Sequence, residues 1–262
     1  MKTTLLNSAL ALSSAFIFTI ILHELAHYVT ALIMGYEAII FHNRVVYEML
    51  SSPEDELGIA AAGPIFSLVQ GVIAYNSVKR FSPNGFSLWL LWMGIAGILA
   101  FMGYLMIGPL MPDGDTGKIY SILGISPTIQ IGVAIIAVIS LTIIFIFSAR
   151  MFEPFVGENL GGDKKKQAKW GQNLIMFPLF IGLLLVTILQ FPVTHFISLM
   201  GTIFPPFAIM AIFGAFMVRK LSFSSFQTTT NIHLHISVFL VVLTVMGIVL
   251  NRWMTTGISF TI

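Results

Sequence analysis

Long apolar runs recur along the whole of this chain, and that feature restricts what it can fold into more than any other. A bilayer core about 30 Å thick is crossed by roughly 20 apolar residues in helical form. Seven such stretches are legible, approximately Leu5 to Met34, Leu57 to Val78, Phe86 to Met111, Pro127 to Ala149, Gln172 to Phe191, Phe196 to Val218 and His233 to Leu250. Composition agrees: 57% of the 262 residues are hydrophobic and 9% charged, with a mean hydropathy of +0.94, far from the roughly 25% charged residues of a soluble domain. The expectation is an all-α polytopic membrane protein of about seven transmembrane helices, with the lipid bilayer as its solvent. Up to Phe16 the N-terminus has the lysine, apolar stretch and small residues of a signal peptide. Its apolar run continues unbroken through Leu22 into His23, however, so it reads as a first span.

The interruptions divide the chain. Between the first two spans, the Ile, Val, Phe and Tyr residues around His42, Asn43 and Arg44 predict a small interfacial β-hairpin. Gly157 to Gly171 is rich in glycine and lysine and reads as a hydrophilic loop near anionic headgroups. Residues 1–150 then form a four-span part, 151–171 a lysine-rich loop, and 172–262 a three-span part. Ten of the thirteen Lys and Arg residues fall on the side of the N-terminus, which predicts a cytoplasmic N-terminus. Basic residues beside apolar spans, without a stripe of interleaved aromatics, argue against nucleic-acid binding.

With no cysteine, a metal can be held only by imidazole and carboxylate. His23-Glu24-Leu25-Ala26-His27 is an H-E-x-x-H sequence inside the first span. Residues four apart share a helical face, so both imidazoles can reach one Zn²⁺, and Glu24 flanks them as a base for water. Three ionisable groups within five residues of a membrane helix are costly unless paired or metal-bound, which makes the cluster functional by default. Catalytic zinc usually takes three protein ligands. The remaining candidates at the end of an apolar span are Asp113 and Asp115 in PLMPDGDTGKIY, although the same residues also make an ordinary solvated turn.

Three segments in order resemble the site-2 protease family of intramembrane zinc metalloproteases. HELAH fits its H-E-x-x-H; AAGPIFS, from Ala61 to Ser67, is similar to its G-P-x-x-N; PLMPDGDTGKIY is similar to the motif whose aspartate is the third zinc ligand. The resemblance covers about the first 125 residues. It implies zinc held by His23, His27 and an aspartate. Asp115 is favoured over Asp113 because Lys118 follows it in the family's register, whereas Asp113 keeps only the Asp-Gly pair. It also implies that a transmembrane protein substrate is cut after partial unwinding, with Glu24 as the catalytic base. Ser67 and Met106 stand where the family has asparagines, which bears on substrate handling rather than on metal binding. With a cytoplasmic N-terminus, HELAH falls in the outer half of the membrane. The rival expectation is a non-hydrolytic protein that binds or transports a divalent metal with the same residues. His42 and His195 fall at predicted surfaces, and His233 and His235 project to different faces of a helix.

Overall fold

The computed structural model describes residues 1–47, 52–158, 160, 162–193, 205–219 and 231–259. Helix α1 (Lys2–Ile33) is followed by strands β1 (Ala38–Phe41) and β2 (Arg44–Tyr47), then by α2 (Pro53–Ser77), α3 (Gly85–Ile107), the short α4 (Asp115–Ile122) and α5 (Pro127–Ser148). A further helical stretch joins α6 (Lys164–Gly171) through a π turn at Gln172–Met176 to α7 (Phe177–Leu189); α8 (Pro205–Val218) and α9 (Val238–Met254) follow.

Five helical stretches are long and apolar enough to cross a membrane: Lys2–Ile33, Pro53–Arg80, Gly85–Leu110, Pro127–Phe155 and Lys164–Leu189. The other two expected spans are shorter among the described residues. The stretch expected from Phe196 begins outside them, and α9 has 17 residues because its helix starts at Val238, five residues after His233. His195 also lies outside the described residues. The lysine-rich segment expected as a loop is helical from Lys164: the Asp163 side chain accepts from the backbone N–H groups of Lys165 and Lys166, capping a run of good helix formers.

Helix α1 is the central element. It packs against α2, α3, α7 and α9, and 67% of its most apolar window is buried, against 22% for α5. In lipid, helices associate through close packing rather than hydrophobic exclusion, so small residues set the contacts. Where α2 crosses α3, a Cβ on Gly71 would lie 2.6 Å from the backbone nitrogen of Ile98, and one on Gly97 would lie 2.7 Å from Gly71 Cα. Buried polar groups tie the N-terminal half of α1 to the rest. Asn7 Nδ2 donates to the Ile232 and His235 carbonyls at 2.6 and 2.9 Å, and its Oδ1 accepts from Ser237 N–H at 2.9 Å. Ser8 donates to the Leu174 carbonyl in the π turn at 2.6 Å and accepts from Trp92 Nε1 at 3.1 Å.

The expected hairpin is present. β1 and β2 pair antiparallel with Phe41 opposite Arg44 and Ala38 opposite Tyr47 around a His42-Asn43 turn. Ile40 exchanges two backbone hydrogen bonds of 2.9 Å with Ile258, so the outer edge of β1 is partly occupied. His42, expected at a surface, is buried, because Nε2 donates to the Gln190 carbonyl at the end of α7 at 2.9 Å.

Candidate metal centre

The H-E-x-x-H spacing puts His23 and His27 one turn apart on the face of α1 that meets α2 and α4. His23 Nε2 and His27 Nε2 lie 3.1 Å apart, and Asp115 Oδ2 lies 3.1 Å from the first and 3.2 Å from the second. Asp115, not Asp113, is therefore the carboxylate that meets the imidazoles. Asp113 is exposed, at the mouth of the same cavity. Asp115 owes its place to a tight return after α3. Gly117 packs so closely under this turn that a Cβ there would overlap the Met111 carbonyl, and α4 begins at Asp115 itself.

Helix α2 orients both rings. Pro64 has no N–H to give to the Ala60 carbonyl and crowds the preceding turn. One residue earlier, the Ile59 carbonyl lies 2.6 Å from His27 Nδ1. A carbonyl only accepts, so Nδ1 carries the proton and Nε2 keeps its lone pair. Ser67 Oγ lies 3.0 Å from His23 Nδ1 and holds the other ring, accepting from Nδ1 when that nitrogen carries the proton. Such outer partners fix the tautomer and ring plane of metal-ligating histidines. Gly63 makes this approach possible, since a Cβ there would overlap Nε2 of both histidines. Tyr104 on α3 stacks on the His23 ring, with centroids 4.8 Å apart and planes 7° from parallel.

Three lone-pair atoms this close repel one another unless a proton or a cation sits among them. Tetrahedral zinc with bonds of about 2.0–2.2 Å holds its ligand atoms roughly 3.3–3.6 Å apart, slightly wider than the 3.1–3.2 Å found here, and two imidazoles with one carboxylate are a zinc donor set. The residues fit the ion, with room on the cavity side for a fourth ligand. Glu24 is 7% exposed, lines the cavity and makes no hydrogen bond among the described residues.

The cavity measures about 490 Å³. Its mouth is framed by Asn43, Val45 and Tyr47 of the hairpin and by Lys118. Lys118 Nζ lies 3.6 Å from Glu56 and 3.5 Å from the Tyr47 hydroxyl, linking α4, α2 and β2. Burial pulls the pKa of Lys118 down, but Tyr47 and Glu56 outweigh it and raise the pKa above the ordinary lysine value.

Of the groups that build the site, Tyr104, Lys118 and the Ile59 carbonyl have no role in the sequence reading beyond register. No local pattern announces them, since each acts through a crossing of helices. His233, on a 3₁₀ turn at Asn231–His233, packs edge-on against Trp170 and is remote from this centre.

No protein-family model, no curated protein and no solved structure matches the chain.

Proposed function

We propose that this protein is an intramembrane zinc metalloprotease of the site-2 protease type, hydrolysing peptide bonds within or next to the transmembrane segments of membrane-protein substrates. The observation that carries this reading is the convergence of His23, His27 and Asp115 to within 3.2 Å of one another beside the buried Glu24, in a cavity among apolar membrane helices. When bound there, zinc supplies polarisation of the scissile carbonyl and lowers the pKa of water to near 7.

The chain's own residues do the rest. Glu24 takes the proton of the attacking water and returns it to the leaving amine, so that one carboxylate serves as base and then acid. The Ile59 carbonyl holds His27 in the tautomer that keeps Nε2 free, and Ser67 steadies the plane of the His23 ring. A substrate helix shields its peptide bonds in its own hydrogen bonds and must be opened first. The inward edge of β2 offers an unwound stretch a strand to pair with. In this register Ile40 turns its N–H and C=O outward to Ile258, so Val45 opposite it turns its own toward the cavity. In this reading the N-terminus is cytoplasmic, and the site lies toward the opposite face of the membrane.

The test is zinc stoichiometry together with cleavage of a transmembrane substrate, on purified wild type and Glu24→Gln. One zinc in both with cleavage by wild type alone is the expected result. Weaker zinc binding in Glu24→Gln, with no cleavage by either, would favour a metal-transport protein that uses Glu24 as a ligand.

A further inference from the structure

The cavity continues past the metal-binding groups into the bundle. Along α1 its wall runs from His23 and Glu24 through Ile20 and Thr19 to Phe16; Phe16 lies seven residues before His23, a descent of about 10 Å along a helix. The rest of its wall includes Ala96, Ala100 and Gly103 on α3, Leu141 on α5, Val186 on α7 and Ala208 on α8, and none of these six carries a polar side-chain atom. Gly103 adjoins Tyr104, which stacks on His23, and Ala96 lies seven residues before Gly103.

Two observations make the shaft a place for a ligand rather than a loosely packed seam. Ala96, Ala100 and Gly103 share one face of α3, yet a Cβ added at Gly103 would meet nothing within 4 Å, whereas one at Gly97 on the same helix would strike the backbone of α2. Small residues on α3 therefore make a contact at Gly97 and leave a space at Gly103. The second observation is Glu24, more than nine-tenths buried and without a hydrogen-bond partner among the described residues, on the cavity wall where the shaft meets the histidines.

The size limits the occupant. One turn of α-helix with its side chains fills roughly 400–600 Å³, a cylinder 10–12 Å wide and 5.4 Å high. The whole cavity, polar mouth included, is about 490 Å³. It holds a few residues of chain, not a membrane-spanning helix.

We propose that the shaft is the subsite that receives a large apolar side chain adjoining the scissile bond. The substrates are then membrane segments that present a leucine-sized or aromatic residue at the cut, on a locally unwound stretch of a few residues. A polar side chain in the shaft would lose its water and meet on the wall only the Thr19 hydroxyl, which already accepts from Gln70 and faces Met93 Sδ. This rests on the protease reading, and names the substrate class for that same site.

The chain has no cysteine, so Gly103→Cys provides a single thiol in the shaft. The zinc-loaded variant is alkylated with a small maleimide in the presence of either of two hydroxamate probes, identical except for an isobutyl or a hydroxymethyl side chain. The isobutyl probe is expected to slow alkylation at least about tenfold more than the hydroxymethyl probe, the scale on which apolar pockets discriminate. Filling the shaft with Gly103→Phe, or with Ala100→Leu should the first variant not fold, is expected to weaken the isobutyl probe by a similar factor while zinc content stays at the wild-type value. Equal protection by both probes, or unchanged affinity in a folded, zinc-loaded filling variant, overturns the proposal. Selective protection with no cleavage of any membrane peptide would sink the protease reading and leave the apolar subsite standing. Cleavage indifferent to side-chain size would do the reverse.

Discussion

The two halves of α1 bury polar side chains to opposite ends. Near its N-terminus, Asn7 and Ser8 spend their hydrogen-bonding capacity on backbone groups of the C-terminal part, the Ile232, His235 and Leu174 carbonyls and the Ser237 N–H, and on the Trp92 indole N–H of α3. Every partner there is part of the fold, and the contacts join one part of the bundle to another. Near the C-terminus, His23 and His27 use only their Nδ1 atoms on the fold and turn both Nε2 atoms toward each other and toward Asp115. Buried polarity that is satisfied by backbone is structure, whereas polarity that converges on a common point calls for a proton or a cation there. The same helix supplies both, about five turns apart.

The difference can be broken from either end. Replacing a converging group should have the largest effect: His23→Ala, His27→Ala or Asp115→Ala is expected to reduce bound zinc, measured by metal analysis of the purified protein, by well over the roughly 10–100-fold typical of losing an outer partner. Asp113→Asn should leave zinc content at the wild-type value, and loss of zinc in that variant would overturn the choice of Asp115. Glu24→Gln should retain zinc while cleavage falls by about 10²–10⁴-fold, the usual contribution of a positioned acid–base group. Ser67→Ala leaves the ligands in place and frees only the His23 ring, so zinc affinity by competition with a chelator should drop by about 10–100-fold. At the other end of α1, Asn7→Ala should lower stability by about 1–3 kcal/mol through the backbone groups it strands, seen as a lower unfolding temperature in detergent. Zinc per folded molecule should not change. If Asn7→Ala emptied the metal site as Asp115→Ala does, the two ends of α1 would not be separable in this way.

Much of this was legible residue by residue. Five of the seven expected spans are helices of membrane-crossing length, because a run of apolar residues in lipid has few ways to satisfy its backbone. The hairpin was legible from its β-branched and aromatic residues around His42 and Asn43, and the pairing of His23 with His27 from helical periodicity alone. Three features read differently in three dimensions. Lys164 to Gly171 is helical, since Asp163 caps it and Gln167 is buried with its side-chain amide donating to the Phe216 carbonyl. His42 is buried because α7 ends against the hairpin turn. Ser67, weighed only for the amide it lacks, is the hydroxyl that steadies His23.

Local spacing by itself determined that this is a helical membrane protein and that His23, Glu24 and His27 lie together on one helix, since both follow from periods of a few residues. It narrowed the third group to Asp113 or Asp115. Only the tertiary structure decided between them, because the choice depends on how tightly the chain turns after α3 and how closely Gly63 lets α2 approach α1. The same holds for the shaft below Glu24. Its walls come from five helices, and whether their small residues touch or leave a space is a property of the packing, not of any one segment.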